Sequence, residues 1–274
     1  MQKEDLDFFR KWFSDYSKQF FSPDPLIQEN IALKIGHTER VCKNTLILGK
    51  AEKMGEKELF LAETIAIFHD LGRFEQFVKY KTFLDSESEN HALLALKILK
   101  KTGVLSCLSL EEKNIVLKAV EYHNLIKIPE SAKKSRELLF YSKLIRDADK
   151  VDIMKLVSED CQAKEKGRNP ALENYLPDIA GCSQAIITDI LNNRMAKIGD
   201  VKNQNDMKLL RLSWIFDINF TETFLLLKQR GYMNVILSSI SGVEEVNIIE
   251  NHLGKYLQKI EMNYASEITI DKQN

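Results

Sequence analysis

The stretch Ile65-Ala66-Ile67-Phe68-His69-Asp70-Leu71-Gly72-Arg73 constrains this chain more than any other. Its apolar run, continued from Leu59 and Ala62, reads as the end of a buried helix that finishes abruptly in two adjacent metal-type ligands. Histidine and aspartate in that position lose their water and need partners. A cation satisfies both at once. A fold that buries this helix end is therefore expected to bring further ligands to it from elsewhere in the chain.

The rest of the pattern is helical. Leu6, Phe9, Trp12, Phe13, Tyr16 and Phe20 recur three or four residues apart, which predicts an amphipathic helix over 4–21 stopped by Ser22-Pro23-Asp24-Pro25. A second helix is expected from about Leu26 to Met54, carrying Gly36-His37-Thr38-Glu39-Arg40, and a third from Glu56 to His69. Residues 73–88 read as an irregular segment over the site, whose aromatics Phe74, Phe77, Tyr80 and Phe83 either stack a nucleobase or, the preferred reading, anchor the loop to the core. A helix opening near Asn90 places His91 in its first turn and runs to Gly103. Ser109-Leu110-Glu111-Glu112 is a capping box that starts another, ending around Tyr122-His123-Asn124. A helix from about Ser135 to Val157 carries Arg146-Asp147-Ala148-Asp149-Lys150-Val151-Asp152. Beyond Gly167-Arg168-Asn169-Pro170 the chemistry thins out, with helices expected over 183–198, 205–230 and Val243–Met262 and a polar tail after Ser266. This division gives a first domain over 1–160 and a helical C-terminal extension over 161–274 that packs on it.

Composition removes several classes of function. With 39 basic and 40 acidic side chains in 274 residues, the chain lacks the basic excess of a nucleic-acid binder, so no nucleic-acid polymer is expected as partner. No apolar run approaches the roughly 20 residues that span a bilayer. The N-terminus Met1-Gln2-Lys3-Glu4-Asp5 has no signal-peptide core. Cys42, Cys107, Cys161 and Cys182 show neither zinc-knuckle nor C-x-x-C spacing. They read as reduced thiols of a cytoplasmic protein. One or two exposed helices leave a homodimer open.

Four of the five histidines, His37, His69, His91 and His123, fall in one window, each at or near a predicted helix end. Helix ends distant in sequence can converge on one point. Imidazole and carboxylate ligands suit divalent Mn, Fe, Zn, Co or Ni. In order, the pattern is His37, His69-Asp70, His91, His123 and an aspartate in the 147–149 segment. This resembles the HD-domain superfamily of metal-dependent phosphohydrolases, in the extended H…HD…H…H…D form of its two-metal members. The resemblance covers about residues 30–160, and it implies an all-α HD-domain helical bundle.

It also implies roles. His37, His69, Asp70 and Asp149 would hold one metal; His91 and His123, with Asp70 bridging, would hold a second. Asp147 and Asp149 lie about 200° apart on a helix and cannot both face the site. Ala148-Asp149-Lys150-Val151-Asp152 fits the family context better, so Asp149 is favoured over Asp147, while Asp147 and Asp152 are candidates to orient a ligand histidine. Arg73 is placed to fork onto a phosphate oxygen, with Lys150 and Arg40 behind it; the bland alternative pairs Arg73 with Glu75 or Asp85. The activity implied is hydrolysis of a phosphomonoester or phosphodiester of a nucleotide or similar small phosphorylated molecule, with one or two divalent ions. The competing readings are a di-iron oxygenase on the same ligand set and a non-catalytic regulatory module. No Gly-Tyr-Pro tripeptide follows His123, which weighs against the HD-GYP type of cyclic-di-GMP phosphodiesterase.

Overall fold

The computed structural model describes residues 1–163, 176–240 and 244–271, and these contain helices and turns with no strand. The fold is all-α. The chain divides into two compact units, Met1–Asp152 and Ile153–Asn274.

The first unit is built on α1 (Lys3–Lys18), α2 (Pro25–Ala51), α3 (Glu56–Phe68), α4 (Gly72–Tyr80), α5 (His91–Thr102), α6 (Leu110–Tyr122) and the start of α7 (Arg136–Gln162). Local chemistry sets the ends of these helices. Asp24 caps α2 by accepting from the Leu26 N–H, and Pro25 fills the first helical position, where its missing N–H costs nothing. Asn90 caps α5, and Gly103 ends it in the left-handed conformation. The Ser109–Glu112 capping box opens α6 as its spacing predicts.

Helix α3 is the centre of this unit: Leu61 through Phe68 are all buried. Its one buried acid, Glu63, accepts from Arg10 of α1 at 2.6 Å. Helix α1 packs an aromatic face against the segment that follows. Phe9 meets Phe68 edge-on at 5.4 Å, and Phe13 meets Phe74 at 5.7 Å. Both targets flank the His69–Asp70 turn, so α1 buttresses the turn from behind.

The irregular segment expected over 73–88 is half helix. Helix α4 occupies Gly72–Tyr80, and only Lys81–Asn90 forms a loop around a 3₁₀ turn at Asp85–Glu87. Phe74 and Phe77, three residues apart, are fully buried on one face, and that burial carries the helix. Phe83 packs on Phe77 with ring centroids 4.6 Å apart, so the loop aromatics are anchors.

The second unit contains the end of α7, α8 (Gln184–Leu191), α9 (Gln204–Ser213), α10 (Thr221–Arg230), α11 (Tyr232–Ser238) and α12 (Val246–Asp271). The break expected at Gly167–Pro170 and the helix start expected at Val243 lie outside the described residues. The boundary between the units falls inside α7, just after Asp152. All four cysteines are free. Among the described residues no helix is long and apolar enough to cross a membrane.

Candidate metal centre

Helix ends deliver the ligands. His69 caps the C-terminus of α3, His91 is the first residue of α5, His123 caps α6, and His37 and Asp149 project from within α2 and α7. All four imidazoles are buried. They meet as two pairs: His37 Nε2 lies 3.2 Å from His69 Nε2, and His91 Nε2 lies 3.0 Å from His123 Nε2.

Each opposite ring nitrogen has an acceptor. His37 Nδ1–H donates to Asp152 at 2.7 Å and His91 Nδ1–H to Asp85 at 2.8 Å. His69 and His123 donate to the carbonyls of Ala66 and Val120, both at 2.7 Å. Carboxylates and carbonyls only accept, so the proton of a neutral ring sits on Nδ1 and the lone pair on Nε2. Two pairs of Nε2 lone pairs then face each other across about a hydrogen-bond length in a dry pocket. That is repulsive unless a cation lies between them.

Asp70 stands between the two pairs and gives one oxygen to each. Its Oδ2 is 3.4 Å from His37 and 3.8 Å from His69; its Oδ1 is 3.4 Å from His91 and 3.8 Å from His123. Two groups with the convergence of a metal site result, His37–His69–Asp70 and Asp70–His91–His123. Asp149 adds a second carboxylate to the first, 3.2 Å from His37 and 3.7 Å from His69. Asp147 is fully buried about 200° round α7, on the other side of the helix. The donor set, imidazole nitrogens with carboxylates, fits divalent transition metals.

Electrostatics point the same way. Burial alone would raise the Asp70 pKa, but Lys34 and the surrounding histidines hold it well below the usual carboxylate range, and Asp149 is depressed similarly by His37 and His69. Burial and Lys34 would lower His37, yet the carboxylates of Asp149, Asp152 and Asp70 outweigh them and push it up to about 10. A field that holds a proton so firmly also attracts a metal. His91 is pushed down to about 3 by burial and by Arg73, which leaves it a neutral ligand.

Five supporting residues complete the centre. Asp152 accepts a two-pronged clamp from Arg40, at 2.6 and 3.0 Å, so Arg40 supports a ligand-orienting acid. Arg146 donates to the carbonyls of Tyr122 and His123 at 3.2 Å each and to that of Leu125, pinning the end of α6 that carries His123. Asp85 orients His91. Lys34 Nζ donates to Asp70 Oδ2 at 2.8 Å and lies over the Phe83 ring at 4.9 Å. Sequence reasoning missed Lys34, although it stands three residues before His37 and so on the same helix face.

Arg73 reaches the site differently from expectation. Its Nη1 donates to Gln76, to the Phe83 carbonyl and to Asp85, so the guanidinium is tied to the loop, while its Nε lies 3.5 Å from Asp70 Oδ1 without a hydrogen bond. Of the two readings, the pairing with Asp85 is the one the geometry displays. Lys150, next to Asp149 on α7, is buried.

Residues 35–154 match the HD domain family model. Comparisons with curated proteins and with solved structures find no match. The matched span begins two residues before His37 and ends two after Asp152, and it holds every ligand candidate named above. The chain carries an HD domain across residues 35–154, with a His/Asp cluster that fits the metal site of that domain.

Proposed function

We propose that this HD domain is a metal-dependent phosphohydrolase that acts on a phosphomonoester or phosphodiester of a nucleotide or similar small molecule. The observation that carries the reading is the division of Asp70. One carboxylate serves two histidine pairs through opposite oxygens, as a two-metal site requires. When bound there, two divalent ions acidify water and neutralise charge on a phosphoryl group.

The protein's own contribution is orientation and charge. The Nδ1 acceptors fix each imidazole so that only Nε2 faces inward, and the buried floor excludes bulk water. The rim is where solvent reaches. The histidine side chains are at most 4% exposed, whereas Lys34, Arg73 and Asp149 are 13%, 14% and 17% exposed. Lys34 and Arg73 supply positive charge to a phosphate entering there. Among the described residues that ammonium makes its one hydrogen bond to Asp70, which leaves two donors to spare. Arg73 retains Nη2, and its firmer task is to hold Asp85.

The test is elemental analysis of the purified protein and of His91→Ala/His123→Ala, followed by assay against p-nitrophenyl phosphate and bis(p-nitrophenyl) phosphate with added Mn²⁺. About two metals per chain falling to about one, with hydrolysis of either ester, supports the reading. Iron as the resident metal, with substrate-dependent oxygen consumption and no ester hydrolysis, refutes it in favour of an oxygenase.

A further inference from the structure

The two ligand groups look alike in composition, but they are not held alike. Each has one histidine oriented by a backbone carbonyl of its own helix, His69 by Ala66 and His123 by Val120. Each has one oriented by a carboxylate, His37 by Asp152 and His91 by Asp85. The difference lies in those carboxylates.

Asp152 sits in the 27-residue helix α7, its side chain 1% exposed and clamped by Arg40. Asp85 sits in a three-residue 3₁₀ turn within the Lys81–Asn90 loop, its side chain 29% exposed. No helix holds it. Side chains from elsewhere do: Arg73 at 3.1 Å, Gln76 at 2.9 Å and Asn124 at 3.2 Å, besides the His91 ring. The orientation of His91 thus depends on a loop acid kept in place by three other residues.

Charge adds to the inequality. On the Nε2 side of the first pair both Asp70 and Asp149 approach the histidines, whereas on the Nε2 side of the second Asp70 is the one carboxylate among the described residues, Asp85 lying on the Nδ1 side of His91. Lys34, on the first-side oxygen of Asp70, works in the other direction. It is matched on the second side by the Arg73 guanidinium near Oδ1, so the extra carboxylate decides the balance.

We propose that the two metal positions are unequal: the His91–His123 position is the weaker and exchangeable one, and Asp85 is the positioning residue on which its affinity depends. This rests on the two-metal reading above. Acids that orient ligand histidines typically carry 10- to 100-fold in metal affinity. An Asp85 variant should therefore lose roughly that factor in one binding step only.

The experiment is calorimetric titration of metal-stripped protein with Mn²⁺ alone. Wild type should show two resolvable steps. Asp85→Asn, which keeps the shape of the side chain, should weaken the second step roughly 10- to 100-fold and leave the first; Asp152→Asn should weaken the first. A residue that merely stabilised the fold would not divide the steps in this way. Equal weakening of both steps by Asp85→Asn, or no change in either, overturns the proposal. If Asp85→Asn does not fold, His91→Ala decides: loss of the weaker step supports the assignment, and loss of the tighter step overturns it. A wild type that saturates at one Mn²⁺ refutes the two-metal reading itself, and this proposal with it; two steps with the wrong residue dependence refute the proposal alone.

Discussion

Replacing Gly72 with alanine should damage the centre without touching a ligand. Gly72 opens α4 where that helix crosses the start of α5, and a Cβ built on it falls 2.2 Å from the His91 carbonyl oxygen, 2.9 Å from the Ala95 nitrogen and 3.0 Å from Leu94 Cβ. The two nearest obstacles are backbone, which no rotamer change can clear. Restoring ordinary contact of 3.4 Å needs a relative movement of α4 and α5 of about 1.2 Å. Overpacking of a core commonly costs 1–3 kcal/mol. A backbone-on-backbone clash belongs at the upper end, about 3 kcal/mol. For a domain of this size that corresponds to a melting shift of roughly 6–12 °C. His91 is the residue that moves, so a displacement of about 1 Å should also lower activity on the order of 100-fold. The assay is thermal unfolding followed by circular dichroism, paired with metal content. Gly199→Ala, where a Cβ meets nothing within 4 Å and φ is not positive, is the matched control and should leave both unchanged. A Gly72→Ala protein that melts within about 1 °C of wild type and keeps its full metal complement would refute the argument that close approach demands glycine here.

Two further outcomes follow from the charges around Asp70 and His37. Lys34→Met should raise KM for a phosphate ester, or the Kd for inorganic phosphate, by roughly 10- to 100-fold, the worth of a charge-assisted hydrogen bond; Lys34→Arg should recover part of it, and unchanged phosphate binding by the methionine variant would reduce Lys34 to a counter-ion of Asp70. Asp152→Asn should be destabilised by about 2 kcal/mol at neutral pH. Burial opposes ionisation of Asp152, but His37 and Arg40 outweigh it and lower the pKa, so its contribution is present above the unfolded carboxylate range and is lost as pH falls through the lower folded value. Urea midpoints of variant and wild type should therefore converge below about pH 4, and a gap that widens on acidification would contradict the assignment.

Much of the centre was legible in the chain because its ligands lie at helix ends, and helix ends announce themselves. His69 follows an unbroken apolar run, His91 follows an Asn cap, and His123 closes a helix opened by a capping box. Helical angle showed that Asp147 and Asp149 could not both face the site, and the family context of Ala148-Asp149-Lys150-Val151-Asp152 favoured Asp149. What stayed hidden depends on contacts between residues far apart or in loops. Asp85 reads as one acid in a polar run, Asp85-Ser86-Glu87-Ser88; its link to Asn124, 39 positions away, is a product of folding. Helix α4 was missed because its nine residues include Arg73, Glu75, Gln76 and Lys79, and the buried pair Phe74 and Phe77 is too short a stripe to establish a period. The position of Arg73 beside the His–Asp pair is visible in sequence, while the Phe83 carbonyl and the Asp85 carboxylate that engage its Nη1 are not.

The cations flanking Asp70 bear on the order in which the protein is assembled. Lys34 and Arg73 supply positive charge to both of its oxygens from within the chain, so the polypeptide can complete its fold before it has met a metal. His37, His69, Asp70 and Asp149 would hold an ion on the Lys34 side, and such an ion would compete with the ammonium for Asp70 Oδ2 and with any proton held between the imidazoles. Metal uptake should therefore release protons and weaken in acid, which restores the protons that a bound metal would have to expel.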